Sequence, residues 1–182
     1  LGPANALIDD LCRYFYNKNF DNDGHYAKNG KLIKTIYSHF KKDIFLKEKY
    51  PKSLDRNHFY LYYKELCKFN ANDAIHTASM MSVYCITDGI KLIKEKIEII
   101  ILTGGGRKNL FIKKNLNKVL KHRNINVKNI EIFKYKGDMI EAQMFGYLAV
   151  RSLKKLPLSL PSTTGVIKAV SGGIKYGKLI KD

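Results

Sequence analysis

Tryptophan is absent from this 182-residue chain, proline and cysteine are few, and of 33 basic residues only five are arginine. Each shortage excludes something. Cys12, Cys67 and Cys85 stand far apart with no CxxC and no paired spacings. That excludes a disulfide framework and reads as three buried or half-buried thiols in a reducing compartment. His25, His39, His58, His76 and His122 are equally scattered, so no HxxxH pair or Cys/His cluster argues for zinc. No apolar run approaches the roughly eighteen residues that a membrane span needs. The first turns carry Asp9 and Asp10 in place of a basic leader, unlike a secretory signal. A soluble, cytoplasmic protein without a membrane partner is the expectation.

Acidic residues are also in deficit, 16 against 33 basic, for a net charge of +17. The lysines run along the whole chain beside many Asn, Ile and Tyr, which reads as a biased residue supply. A nucleic-acid surface would gather arginines and interleaved aromatics on one face. Nucleic acid is therefore not an expected partner, although adhesion to polyanions at low salt is.

Against these absences stands one dense stretch, Glu98 to Leu120. Ile99, Ile100, Ile101 and Leu102 form a β-branched run of the kind found in a strand buried on both faces. Gly104, Gly105 and Gly106 follow, and then Ile112, Leu116, Val119 and Leu120 recur at helical spacing. The glycines thus sit where a strand hands over to a helix, the place where open α/β sheets bind ligands. Bare backbone there admits the close approach of a phosphate, and a helix start favours an anion. The triplet matches neither GxGxxG nor GxxxxGK[ST], so a tight turn that needs positive φ stands as the equal alternative.

Asn5 is expected to cap a helix over Ala6 to Tyr16, with Leu7, Ile8, Leu11 and Phe15 on its apolar face. The carboxylates of Asp21 and Asp23 invite a calcium-loop reading, but the twelfth position counted from Asp21 is Leu32, so a polar interhelical turn is preferred. Tyr26 to Phe40 reads as a second helix. Pro51 breaks the chain, leaving Lys52 and Ser53 in a loop that meets an anion or solvent. Arg56 to Phe69 reads as a helix. A long helix capped by Asn72 or Asp73 then reaches about Ile93, with a seam of small residues, Ala78, Ser82, Cys85 and Gly89, suited to close packing. A weaker strand is expected at Ile130 to Phe133. The helix after Gly137 is the most apolar, with Ile140, Met144, Phe145, Leu148, Ala149 and Leu153, and should be deeply buried. Asp138 and Glu141 have capping-box spacing. The alternative is that they are carboxylates at the mouth of a cleft. Pro157 to Gly165 reads as extended, and Val170 to Asp182 as a surface tail.

Several stretches then stand together in one order: GPANALIDD (Gly2 to Asp10), DNDGHYAKNG (Asp21 to Gly30), PKS (Pro51 to Ser53), TGGGRKN (Thr103 to Asn109), GDMIEAQMFGYLAVR (Gly137 to Arg151) and LPLSLPSTTGV (Leu156 to Val166). The set resembles the carboxyl-terminal half of the anhydro-N-acetylmuramic acid kinase family, from end to end. The resemblance implies a helix-rich α/β chain, residues 1–182, forming an incomplete ribonuclease-H-like lobe of the actin, hexokinase and Hsp70 ATPase superfamily. It implies ATP and Mg²⁺ as cofactors. The substrate would be 1,6-anhydro-N-acetylmuramic acid, hydrolytically opened and phosphorylated at O6 in bacterial peptidoglycan recycling.

Carried over by position, Gly104, Gly105, Gly106 and Asn109 go to the nucleotide, Glu141 to the sugar and the reacting water, and Gly2 and Asn5 to the substrate loop. No metal ligand is assigned. The family's D-T-G-P-G-N loop places its catalytic aspartate two residues before Gly2, outside this sequence, so the chain alone is expected to be inactive. An amino-terminal kinase lobe is the expected partner, and strands preceding Gly2 are the expected neighbours of Glu98 to Leu102. Without them the open edge is expected to promote self-association, as in a homodimer. Leu54 and Asp55 depart from the family pattern after Pro51. A non-catalytic remnant of a truncated or split kinase gene is the alternative reading.

Overall fold

The computed structural model describes residues 2–174 and 176 and shows a helix-rich α/β chain. Helix α1 (Ala6–Tyr16) forms where its periodicity places it, and Leu7, Ile8, Leu11 and Cys12 bury one stripe almost completely. Asn5 is its N-cap by position, yet the Asn5 side chain makes no capping bond. The amide lies against Gly106 instead.

The second helix expected over Tyr26 to Phe40 is two, α2 (His25–Asn29) and α3 (Lys34–Phe40), parted at Gly30. The cause lies across the core. Gly30 backs onto the Asn72 carbonyl, where a Cβ would overlap it. The Lys31 N–H donates to Asp73 Oδ1 at 2.6 Å and the Ile33 N–H to Thr77 Oγ1 at 2.9 Å. Amides drawn sideways to these partners leave the helical ladder. Asp21 is buried, and its carboxylate accepts the Tyr26 and Ala27 N–H groups at 2.8 and 3.0 Å, so it caps α2.

The short helix α4 (Ile44–Lys47) is capped by the Asp43 side chain. Lys52 closes its other end, donating from Nζ to the carbonyls of Phe45 and Leu46 at 2.6 and 3.2 Å. Its charge is thus placed on helix C-terminal carbonyls, not on an external anion. Helix α5 (Tyr60–Leu66) follows a 3₁₀ turn at Arg56–Phe59.

The long helix α6 (Ala71–Gly89) runs through the core and packs against α1 and α2. Its cap is Asn70, not Asn72 or Asp73. Asn70 Oδ1 accepts the Asp73 N–H at 2.9 Å, while the Asp73 carboxylate is engaged by Lys31 and Asn70. The small-residue seam is buried as expected, and Ser82 Oγ donates to the Ala4 carbonyl at 2.6 Å.

Strand β1 (Ile99–Leu102), helix α7 (Leu110–Leu120) and strand β2 (Asn126–Asn129) form a parallel β-α-β unit, with Ile99 opposite Asn126 and Leu102 opposite Asn129. Helix α7 packs on both β2 and α6. The weaker strand was expected four residues later; Ile130–Phe133 is instead a 3₁₀ turn. Ile125 and Val127 are buried, whereas Ile132 and Phe133 are exposed. Nor is β1 covered on both faces: Ile99 is 41% exposed, and among the described residues β1 pairs only with β2.

The largest departure is α8 (Ile140–Leu153). It was expected to be deeply buried, yet none of its residues is. Met144, Phe145, Tyr147, Val150 and Leu153 are 48% to 60% exposed. A helix apolar on every side ordinarily lies between two layers, and the described residues supply neither. Pro157 to Gly165 is not extended throughout: α9 (Pro161–Thr164) interrupts it, and Ser159 bridges to Val170. Of the tail, residues 170–174 and 176 are exposed, and residues 175 and 177–182 lie outside the described residues.

Candidate functional site

Where β1 ends, Gly104 takes φ +64° and ψ −169°, backbone space that a side chain all but forbids. The positive-φ reading of the triplet therefore holds at Gly104. It does not account for Gly105, where an added Cβ would meet nothing within 4 Å. Internal packing asks nothing of that glycine, and its bare backbone faces open space. Gly106 differs again, since a Cβ there would lie 3.3 Å from the Asn5 amide. Residues Gly105–Lys108 wind one 3₁₀ turn, and Asn109 starts α7 by accepting the Ile112 N–H at 3.0 Å. The opening amides of such a turn have no acceptor within it and point outward.

The turn lies on a cleft of about 560 Å³ shared with Asn5, Asp9, Asp23, Lys108 and Asn109. Of the sequence candidates, Gly105, Asn109 and Asn5 thus meet in one cleft, with Gly104 and Gly106 adjoining in the same turn. Gly2 does not join them. It packs on α6, where a Cβ would overlap Cys85 Sγ, in keeping with close packing against the seam. Glu141 does not line the cleft either; it is exposed in the first turn of α8. The capping box does not form, because Met139 is the N-cap and no side chain caps it.

Asp138 is committed elsewhere, to a contact that spacing did not reveal. Arg107 is buried and donates from Nε to Glu131 at 2.7 Å, from Nη1 to the Gly104 carbonyl at 2.7 Å and to Asp138 Oδ1 at 2.8 Å, and from Nη2 to Asp138 Oδ2 at 3.0 Å. Lys108 Nζ adds a second cation 3.0 Å from Asp138. These donors hold the Asp138 carboxyl well below the usual carboxylate range. Arg107 also lowers the Glu131 carboxyl, and Asp138 and Glu131 push the guanidinium higher still. The one signal available was position: Arg107 directly follows the glycines.

Gly24 was also missed as a site element. At φ +73° it leaves no room for a Cβ, which would overlap Asn109 Oδ1 and Phe111, so the Asp21 to Gly24 turn packs against the cap that starts α7. Among the described residues no group of three or more His, Cys, Asp or Glu side chains is placed to hold a metal ion.

A family model described as anhydro-N-acetylmuramic acid kinase matches residues 1–178. Curated relatives called anhydro-N-acetylmuramic acid kinase are similar over nearly the whole chain. The protein of Roseobacter denitrificans is 34% identical over 94% of this chain and 45% of its own length. That of Rhodopseudomonas palustris strain BisB18 is 34% identical over 94% and 46%, and that of Zymomonas mobilis 33% over 94% and 46%. The chain spans a little under half the length of the curated relatives it matches.

Proposed function

The chain belongs to the anhydro-N-acetylmuramic acid kinase family, and from that membership we propose that it forms the nucleotide-holding, carboxyl-terminal half of an ATP-dependent sugar kinase. In this reading the whole enzyme opens 1,6-anhydro-N-acetylmuramic acid with water and transfers a phosphoryl group to O6, in cytoplasmic peptidoglycan recycling. The chain would be an incomplete ribonuclease-H-like lobe that works with an amino-terminal lobe. The observation that carries the reading is Gly105, a glycine that neither its own backbone nor its neighbours require, open to a cleft at a strand-to-helix turn. Such a position leaves room for another molecule's phosphates or ribose.

Each residue then has a task. Gly104 sets the turn, Gly105 and Gly106 present backbone to the nucleotide, and Asn109 starts α7 behind them. Asn5 shares the cleft, and Gly2 seats its loop on α6. Glu141 would meet the sugar and the attacking water from the start of α8. ATP would bring the phosphoryl group. Among the described residues no cluster of His, Cys, Asp or Glu fits Mg²⁺.

The test is ATP turnover on 1,6-anhydro-N-acetylmuramic acid with Mg²⁺, by this chain alone and mixed with the amino-terminal half of a family member. Turnover only in the mixture, abolished by Glu141→Ala, supports the reading. A Gly105→Ala chain should fold unchanged and bind ATP at least about tenfold more weakly. Unaltered ATP binding by that variant would remove the nucleotide from the turn. A chain that associates with the other half yet supports no turnover would be a non-catalytic remnant.

A further inference from the structure

One side chain joins the glycine turn to the start of α8 across 31 residues of sequence. The Arg107 guanidinium is 7% exposed and spends its donors in two directions, on the Gly104 carbonyl behind it and on Asp138 and Glu131 ahead. The Asp138 contact is a two-pronged fork that lysine cannot reproduce. Gly137 is shaped to the same contact, because a Cβ there would overlap Arg107 Nε. Beside it, the Lys108 ammonium pairs with Asp138 and the Gly137 N–H donates to Glu131, while Arg151 and Ser152 tie the far end of α8 to the carbonyls of Pro157 and Gly172. No residue of α8 is buried, and α8 packs closely on no other helix or strand of the described fold. Asp138 stands three residues before Glu141 on the same stretch.

Resting on the nucleotide reading of the turn, we infer that Arg107 is a positioning residue, coupling a nucleotide on Gly104 to Gly106 to the placement of Glu141. A ligand that fixes the turn fixes the Gly104 carbonyl, and with it the guanidinium that holds Asp138. Coupling between sites is reciprocal, so releasing the Asp138 end loosens the nucleotide end. Charge alone predicts the opposite. Removing the Asp138 carboxylate would free the Lys108 ammonium beside the cleft and strengthen the attraction for ATP.

The experiment is hydrogen exchange on the intact chain, with and without ATP, for the unaltered protein, Arg107→Lys and Asp138→Asn. Asp138 is 57% exposed, so its replacement leaves the core intact even if Arg107→Lys folds poorly. Without ATP, both variants should exchange amides 137–145 at least about fivefold faster, with α1 and α6 unchanged. With ATP, all three should gain protection at residues 104–110, but only the unaltered chain at 137–145. Asp138→Asn should bind ATP about fivefold or more weakly.

Equal exchange at 137–145 in all three chains without ATP, or equal ATP protection there, would overturn the inference. So would tighter ATP binding by Asp138→Asn, the result expected of charge alone. ATP protecting neither region would overturn the nucleotide reading and the coupling with it, while the ATP-free comparison would still report whether Arg107 holds α8.

Discussion

Asn109 serves two ends at once, since its side chain is buried in the cap of α7 while the turn it terminates borders the cleft. Asn109→Ala should cost about 1 kcal/mol in denaturant unfolding. Asn109→Asp should keep the cap and its stability but repel ATP, so that affinity falls without a change in midpoint. The cysteines make a second case. Burial, the dominant cause, pushes the thiols of Cys12 and Cys85 up to about 12, so both stay protonated and enclosed at neutral pH. Alkylation of the native chain at pH 8 should reach Cys67 first, with Cys12 and Cys85 reacting only on unfolding. The Arg107 contact has a pH signature of its own. Asp138 is depressed in the folded chain by Arg107 and then Lys108, so its contribution is complete above the ordinary carboxylate pKa of about 4 and is lost as pH falls through the lower folded value. Exchange at residues 137–145, corrected for intrinsic rates, should be flat from pH 8 to pH 5 and rise only in strong acid. The sequence displayed Gly105 and Asn109 openly, because strand, glycines and helix are consecutive. The acidic partners of Arg107 lie 24 and 31 residues away, and no periodicity encodes such a distance.

Within elements, periodicity located α1, β1 and α7 to the residue or close to it, because each is decided by its own apolar spacing. It failed where a distant group intervened. The break between α2 and α3 is made by Asp73 and Thr77 of α6 reaching the amides of Lys31 and Ile33, and nothing within residues 26–40 announces those acceptors. Thr77 is fully buried and also donates to the Asp73 carbonyl at 2.7 Å. Thr77→Val should therefore cost about 1–3 kcal/mol, by leaving the Ile33 N–H without an acceptor. Gly30→Ala should cost a similar amount, about 1–3 kcal/mol, through overlap with the Asn72 carbonyl. Thermal unfolding of the two variants checks both, and a neutral Thr77→Val would show that the break between α2 and α3 has another cause. The misplaced strand has the same origin, since Ile130–Phe133 is the more apolar stretch but α7 packs on Asn126–Asn129, where Val127 is buried.

At the scale of the molecule, the helices from α1 to α7 enclose a continuous core, whereas α8 displays its apolar residues to solvent. Composition marked α8 as a helix, which holds, and expected it to be deeply buried, which does not hold among the described residues; apolar content by itself has no means of saying where cover would come from. Phe145→Lys with Val150→Lys should leave the free energy of unfolding within about 0.5 kcal/mol while lowering self-association in sedimentation. A fall in stability would mean that the face is already covered. The union of α1 with α6 has a further consequence, for the order of events during synthesis. Helix α1 ends at Tyr16 and α6 begins at Ala71, an interval that a ribosome crosses in on the order of several seconds. Through that interval Leu7, Ile8, Leu11 and Cys12 lack α6, and α5 (Tyr60–Leu66), which also packs on α1, arrives only near its end. The β1-α7-β2 unit, by contrast, closes between Ile99 and Asn129 soon after it emerges. The apolar stripe of α1 is thus covered long after it is made, and the part of the core that α1 shares with α6 closes only once α6 has arrived.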